Sequence, residues 1–179
     1  MSRGYRIRWR PQPVWHNASQ SVESSDAIAM DVGMLDILSE AEMVALLREQ
    51  LAEAGWQRLE DGAMRTTIGG VEVELDAEGH RVRASSTARR EVAVRSQNEG
   101  ELREQLDRAS EGAERALSRE VAGQIISAEA EIRERIQAAL QKVYIEALQR
   151  KAASMGEIES IISGVGEEGE LEMTIKVKV

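Results

Sequence analysis

The fold of this chain is decided by residues 98–154, which read NEGELREQLDRASEGAERALSREVAGQIISAEAEIRERIQAALQKVYIEALQRKAAS. This stretch contains no proline, and its apolar residues recur every three or four positions, the spacing of one face of an α-helix. The recurring residues are Leu102, Leu106, Ala109, Ala113, Leu117, Val121, Ile125, Ala128, Ile132, Ile136, Ala139, Val143 and Ala147. The sequence therefore predicts one very long helix over residues 98–154.

The sequence leaves two features of this helix undecided. Gly112 and Gly123 each weaken a helix interior by about 1 kcal/mol, so either is a candidate position for a kink or a reversal. The apolar stripe is narrow and Ala-rich in the first half, but it is wider and richer in Ile and Leu in the second half. We expect the second half, including Ile125 and Ile126, to be the part that is buried against a sheet.

Acidic and basic residues cover the rest of the helix surface. Arg133 and Arg135 follow Glu129 and Glu131 by four residues, an order that stabilises a helix through side-chain pairing. A di-metal carboxylate bundle requires E-x-x-H motifs on paired helices, and the sequence contains none. The charges therefore predict a solvated helix face.

The segment before the long helix begins with strand patterns. Residues 5–10 alternate between apolar side chains and arginines, which predicts a half-buried strand that Pro11 and Pro13 end or confine to an edge. Residues 16–25 are polar and are predicted to form a loop. Residues 28–34 alternate again and are predicted to form a second strand.

A capped helix and a meander of strands follow. Ser39 and Glu42 form an S-x-x-E capping box at the start of an amphipathic helix that Gly55 ends. The predicted strands are Met64–Ile68, Val71–Leu75, Arg81–Ala84 and, with a weaker pattern, Glu91–Arg95. Gly69-Gly70 fits a two-residue hairpin turn, and residues 76–79 fit a longer one.

The end of the chain is predicted to be a β-hairpin. Residues 157–163 and 171–179 have strand patterns around a glycine-rich turn, and Gly156 fits the C′ position of the long helix. We expect the last strand to return to the sheet that begins at the N-terminus, which gives a single domain over residues 1–179. The predicted fold class is α+β: a mostly antiparallel sheet with a capped short helix, one very long helix and a C-terminal β-hairpin.

The composition argues against several function classes. The formal net charge of −9 opposes non-specific nucleic-acid binding, which needs a basic surface. The absence of cysteine excludes disulfides, thiolate nucleophiles and Cys-based zinc sites, and it favours a cytoplasmic location. No apolar run approaches the roughly 20 residues that span a bilayer, and no signal peptide pattern is present, so no membrane association is expected.

Few residues have the pattern of a catalytic or metal site. His16 and His80 belong to no metal-binding motif, and residues 76–80, DAEGH, lack the later ligands of an EF-hand loop. The glycine-rich residues 164–169 lack the lysine of a phosphate-binding loop and lead into a strand. We therefore predict no catalytic residue, no cofactor and no metal, although a dispersed Ser–His–acid arrangement cannot be read from sequence.

The hydrophobic pattern of residues 35–84 is similar to that of a known family. They contain LDILSEAEMVALLREQLAEAGW at 35–56 and GVEVELDAEGHRVRA at 70–84. Together with SRGYRIR at 2–8, they resemble accessory proteins of unknown function in bacterial FtsH–vWA–MoxR ternary systems, which combine AAA+ ATPases with a von Willebrand A (vWA) protein and small components. The layout of residues 147–179 is similar to that of the DUF1257 family of cyanobacteria and plastids.

This resemblance implies a non-catalytic component of an ATPase-linked assembly, in conflict defence or protein remodelling. Its expected partners are an AAA+ ATPase or a vWA-domain protein. The alternative is a self-assembling structural protein that forms homo-oligomers through strand edges or the long helix. An enzyme that uses dispersed acids or the two histidines is a third hypothesis.

Two surfaces are the candidate partner-binding sites. One is the arginine face of the first predicted strand, which suits an acidic partner and consists of Arg6, Arg8 and Arg10. The other is the outward face of the first half of the long helix, where the apolar stripe is narrow. Its apolar residues are Leu102, Leu106, Leu117 and Val121.

Overall fold

The computed structural model describes residues 13–165 and 171–178. Its elements in chain order are β1 (His16–Asp31), α1 (Glu40–Glu53), β2 (Gln57–Arg58), β3 (Met64–Ile68), β4 (Val71–Leu75), β5 (Arg81–Ser96), α2 (Glu99–Met155), β6 (Glu157–Val165) and β7 (Leu171–Lys178). A five-stranded antiparallel sheet has the order β1-β5-β4-β3-β2, and β6 pairs with β7 in a second sheet. The predicted α+β class is confirmed.

The chain divides into two compact units. The first contains the chain up to Ser24 together with Thr87–Glu120, and the second contains Ser25–Ser86 together with Val121–Val179. Strands β1 and β5 and helix α2 each contribute residues to both units. The single domain predicted over residues 1–179 stays a prediction.

Helix α1 of the second unit begins and ends as predicted. The backbone N–H of Ser39 donates to Glu42 Oε2 at 3.1 Å, and the Ser39 hydroxyl donates to the same oxygen. At the other end Gly55 has a φ of 89°, a left-handed conformation that glycine adopts without steric cost. The chain then turns back so that the Trp56 N–H donates to the Leu51 carbonyl at 2.9 Å, and the Trp56 side chain is buried.

The meander of the second unit depends on two glycine-containing turns. Gly69 and Gly70 have φ values of 58° and 83°, which fits the two-residue turn that joins β3 to β4. In the turn between β4 and β5, the Asp76 carboxylate accepts the His80 N–H at 2.7 Å, and Gly79 has a φ of 76°. Both predicted turns are therefore confirmed.

The core of the second unit lies on one face of its strands. Val71, Val73 and Leu75 alternate along β4 and are fully buried. The helices supply further buried side chains: Met43, Val44, Leu46, Leu47 and Leu51 from α1, and Val121, Ile125, Ala128, Ile132, Ile136, Ala139, Val143, Ala147 and Ala152 from α2. On the opposite face of the strands, Arg65 bonds to Glu74 at 2.7 Å, and this bond raises the pKa of the Arg65 guanidinium.

The first unit corrects the predicted loop over residues 16–25, because these residues lie in β1. Their polar side chains gave no alternating apolar signal, and only Val22 of the β1 part of this unit is buried. The strand is held instead by pairing with β5 and by polar contacts. Arg89 Nε donates to Ser21 Oγ at 2.6 Å, and the hydroxyls of Ser24 and Ser118 lie 3.0 Å apart.

Helix α2 runs without interruption from Glu99 to Met155, one residue from each predicted boundary. It passes through Gly112 and Gly123, so the chain reverses at neither glycine. Asn98 caps its first turn, because the Asn98 Oδ1 accepts the Gly100 N–H at 3.0 Å. Every apolar position predicted for the stripe from Leu117 to Ala147 is buried.

The C-terminal hairpin is confirmed. Among the described residues, strands β6 and β7 form their own two-stranded sheet and do not join the five-stranded sheet. The expected pairing with the strand predicted over residues 5–10 lies outside the described residues. Gly156 also has a different role from that predicted, because its φ is not in the left-handed region of a C′ glycine. A Cβ at Gly156 overlaps the Lys178 carbonyl oxygen and approaches Val177 Cγ1 to 2.9 Å, so the close approach of β7 requires glycine.

Candidate interaction surfaces

The structure gives the predicted contact residues of α2 a packing role. Leu102, Leu117 and Val121 are buried, and Leu106 is half-buried. In the first unit, polar contacts tie the same stretch of α2 to the strands: Ser110 Oγ donates to Gln20 Oε1 at 3.4 Å, and Arg90 bonds to Glu120 at 3.2 Å. Partner binding by the four apolar residues stays a prediction.

The other predicted contact residues, Arg6, Arg8 and Arg10, lie outside the described residues. The same holds for the strand predicted over residues 5–10. The first described aromatic residue after them in the sequence is Trp15. The Arg95 guanidinium lies 4.5 Å from the centroid of the Trp15 ring. Binding of an acidic partner by the three arginines stays a prediction.

The solvated face of α2 carries ion pairs at the predicted four-residue spacing. Arg133 bonds to Glu129 at 2.8 Å, and Arg135 bonds to Glu131 at 2.6 Å, as the sequence order indicated. Further pairs on this helix are Glu104–Arg108, Glu111–Arg115 and Glu146–Arg150. These exposed pairs contribute about 0.3–0.5 kcal/mol each, so they add little to the stability of the helix.

One large apolar side chain lies on the solvent side of α2. Ile126 is 71% exposed, whereas its neighbour Ile125 is 2% exposed. The expectation that both are buried is therefore wrong for Ile126. Consecutive helical residues point about 100° apart, so only one of them can lie in the stripe. The sequence contained a signal, because Ile125 belongs to the series of recurring apolar positions and Ile126 does not.

A small cleft in the second unit has a mixed apolar and charged lining. Its lining residues are Met30, Asp31, Val32, Gly33, Val82, Arg133, Ile136, Gln137 and Leu140. The Tyr144 hydroxyl donates to the Gly33 carbonyl at 3.2 Å. The cleft volume is about 160 Å³. Pockets that enclose drug-sized ligands and cofactors measure roughly 300–1,000 Å³, so this cleft is too small for a nucleotide-sized molecule.

The polar groups of the turn at Asp76 form hydrogen bonds with other residues of the chain. Asp76 accepts the His80 N–H, and His80 Nε2 lies 2.8 Å from Glu40 Oε1 at the start of α1. This His–Glu pair connects the turn to the helix. Among the described residues, no group of three or more His, Asp and Glu side chains is arranged to hold a metal ion.

The β6–β7 hairpin exposes apolar side chains on both of its strands. Ile161 and Ile162 are exposed, and Ile158, Met173 and Ile175 are half-buried. The register places Ile161 opposite Ile175. Within the part of the chain that the structure describes, neither helix combines the length and the apolar character needed to cross a membrane.

Comparison with known protein families places the whole chain in a family. The model of the family described as FtsH ternary system domain X5 matches residues 1–179. No curated protein and no solved structure matches the chain. The match agrees with the resemblance in residues 2–8 and 35–84, and it extends over α2 and the hairpin as well.

Proposed function

The chain belongs to the FtsH ternary system domain X5 family, and from this premise we propose that it is a non-catalytic adaptor within such a system. The expected partners are the AAA+ ATPase and the vWA-domain protein of the same system. The observation that carries the proposal is the family match over the whole chain. A role in conflict defence or protein remodelling is the wider function that this assembly implies.

The exposed face of α2 supports the adaptor role. Its ion pairs place arginine and glutamate side chains next to each other on the surface, and complementary charges on a partner can select one orientation of binding. Ile126 projects from the same helix beside the small residues Gly123 and Ala130, which leave its side chain accessible. An accessible apolar side chain within a polar surface is suited to anchor a protein partner.

The arginine-rich start of the chain supports the same role by its charge. Arg6, Arg8 and Arg10 lie in a segment without acidic residues, although the chain as a whole has a net charge of −9. A local excess of positive charge attracts an acidic surface and accelerates its association. We propose these three arginines as the first contact surface for an acidic patch on the ATPase or on the vWA protein.

The experiment that tests this function is direct binding between purified components. The chain is titrated into the ternary-system ATPase, into the vWA protein and into a mixture of both, and the heat of binding is measured by calorimetry. We expect a stoichiometric complex with one of them. The Arg6→Glu, Arg8→Glu, Arg10→Glu triple variant should weaken this complex at least tenfold, since opposite charges become like charges.

A matched control separates a local effect from a change in net charge. The Arg58→Glu, Lys142→Glu, Lys151→Glu triple variant changes the net charge by the same amount at exposed positions of the described structure. It should bind as the unmodified chain does. Absence of any complex with the ATPase, the vWA protein and their mixture would contradict the adaptor role. Equal losses from both triple variants would remove the three arginines as the contact surface.

The α2 surface is tested in the same titration. Ile126→Glu places a charge on the exposed apolar side chain and should weaken binding, whereas Ala138→Glu places the same charge at another exposed position of α2 and should not. Equal affinities for the two variants would show that Ile126 is outside the interface.

A further inference from the structure

Strand β7 is an edge strand of a sheet with two strands. Among the described residues, β7 pairs with β6 alone. An isolated two-stranded hairpin is marginally stable in water, and an unpaired edge presents N–H and C=O groups to any strand that approaches. The second edge of β7 is thus available for strand addition within the described structure.

The hairpin also has an apolar face that is only partly covered. The register places Ile158 opposite Val177 and Ile161 opposite Ile175 on one face. Met173 lies two residues before Ile175 in β7 and belongs to the same face. None of these five side chains is buried. A strand added beside β7 would widen this face and remove part of its apolar surface from water.

The charges of β7 point to the identity of that strand. Glu172 faces Gly164 across the hairpin and Lys176 faces Ser160, so neither charge lies directly opposite an opposite charge in β6. Within β7 the two residues are four positions apart, about 13 Å along a strand, which is too far for an ion pair. Both side chains are exposed. The outward face of β7 therefore has an acidic end and a basic end.

We propose that β7 pairs antiparallel with β7 of a second copy of this chain, about a two-fold axis at Thr174. In this register Glu172 of each copy lies directly opposite Lys176 of the other, and Met173 lies opposite Ile175. Directly opposite side chains have Cβ atoms about 4.5–5.5 Å apart, close enough for two symmetric ion pairs. The interface is isologous and closes as a dimer.

Other self-pairings fit less well. Parallel pairing in register sets Glu172 against Glu172 and Lys176 against Lys176, and like charges directly opposite destabilise a sheet. Strand β6 carries Glu157 and Glu159 but no basic residue, so pairing of β6 with itself offers no ion pair. This dimer goes beyond the proposed adaptor function and does not depend on it.

The test is sedimentation equilibrium of the full chain over a range of concentrations. The unmodified chain should dimerise. Glu172→Lys and Lys176→Glu should each raise the dimer dissociation constant by roughly tenfold, because each turns both symmetric ion pairs into pairs of like charge. An equimolar mixture of the two variants should form a heterodimer about as tight as the original dimer, since every pair is again of opposite sign.

Matched controls are Glu134→Lys and Lys142→Glu, which make the same charge changes at exposed positions of α2. They should leave the dimer unchanged, and circular dichroism should show the same helix content in all variants. A chain that stays monomeric at every concentration overturns the proposal. A dimer dissociation constant that neither Glu172→Lys nor Lys176→Glu changes also overturns it. So does an equimolar mixture of these two variants that does not form a heterodimer as tight as the original dimer. The binding titration with the ATPase and vWA protein reads the adaptor function independently.

Discussion

Ser39 and Glu42 illustrate how two side chains define the start of a helix. The Glu42 carboxylate accepts hydrogen bonds from the side chain and the backbone of Ser39, and these bonds lower the pKa of Glu42 from its ordinary value. Because the pKa of Glu42 is lower in the folded state than in the unfolded state, these bonds stabilise the fold at pH values above the unfolded-state pKa. This contribution is lost as the pH falls through the folded-state pKa.

The first prediction follows from that sign. Ser39→Ala should lower the free energy of unfolding near neutral pH, because it removes the side-chain bond to Glu42. The difference from the unmodified chain should shrink when the pH falls below the folded-state pKa of Glu42, where the carboxylate is protonated in both. Urea denaturation at the two pH values checks this. A difference that does not change with pH would contradict the proposed role of the carboxylate.

Gly156 provides the second prediction at the residue scale. Gly156→Ala should destabilise the hairpin by about 1–3 kcal/mol, because the new Cβ overlaps the backbone of Lys178 and crowds Val177. Amide hydrogen exchange of β6 and β7 should accelerate accordingly. Gly164→Ala is the matched control, because nothing lies within 4 Å of a Cβ there. Equal exchange rates in the two variants would show that the hairpin does not need glycine at position 156.

Helix α2 shows what periodicity decides at the scale of an element. The stripe of apolar residues from Leu117 to Ala147 is buried as the sequence indicated, since the spacing of three and four residues keeps these side chains on one face. Exposed ion pairs lie on other faces of the helix. Ile126 is not one of the recurring positions, and it lies outside the buried stripe.

The third prediction compares the two adjacent isoleucines of this helix. Ile125→Ala should lower the free energy of unfolding by about 2–5 kcal/mol, because it leaves a cavity in a packed interior. Ile126→Ala removes the same atoms from an exposed position and should change stability by less than about 0.5 kcal/mol. Denaturant unfolding measures both. Similar losses from the two variants would mean that Ile126 is packed in solution.

At the scale of the whole molecule, strand β5 crosses from one compact unit into the other. Its residues Val82, Ala84 and Ser86 in the second unit are buried, whereas residues 87–95 in the first unit are exposed or half-buried. Local opening is easier where few apolar contacts must be broken. The same strand therefore provides an internal comparison of the two units.

The fourth prediction is that amide exchange along β5 is slower in residues 82–86 than in residues 87–95. Hydrogen exchange followed by mass spectrometry or NMR resolves the two parts. The amides of β4, which lie in the buried core of the second unit, are the slow reference. Uniform protection along β5 would contradict a difference in local stability between the units.

The sequence predicted most of the helices and strands, but not all of the pairings between strands. Alternation located β3, β4 and β7, and the capping box and Gly55 located α1, because each signal arises from neighbours in the chain. Residues 16–25 were missed as a strand because their pairing partner, β5, is distant in sequence. Of the candidate contact residues, Leu102, Leu117 and Val121 follow the helical period, but the period cannot tell a partner surface from an intramolecular one.

The sequence by itself determined the α+β class, the length of α2, the two glycine turns of the meander and the resemblance that the family match confirmed. These properties depend on local backbone preferences and on periodic burial, which adjacent residues encode. Only the tertiary structure decided that β1 begins at His16 and that, among the described residues, the hairpin forms its own sheet. Each of these depends on which distant segments pack together, and that is set by the free energy of the whole chain.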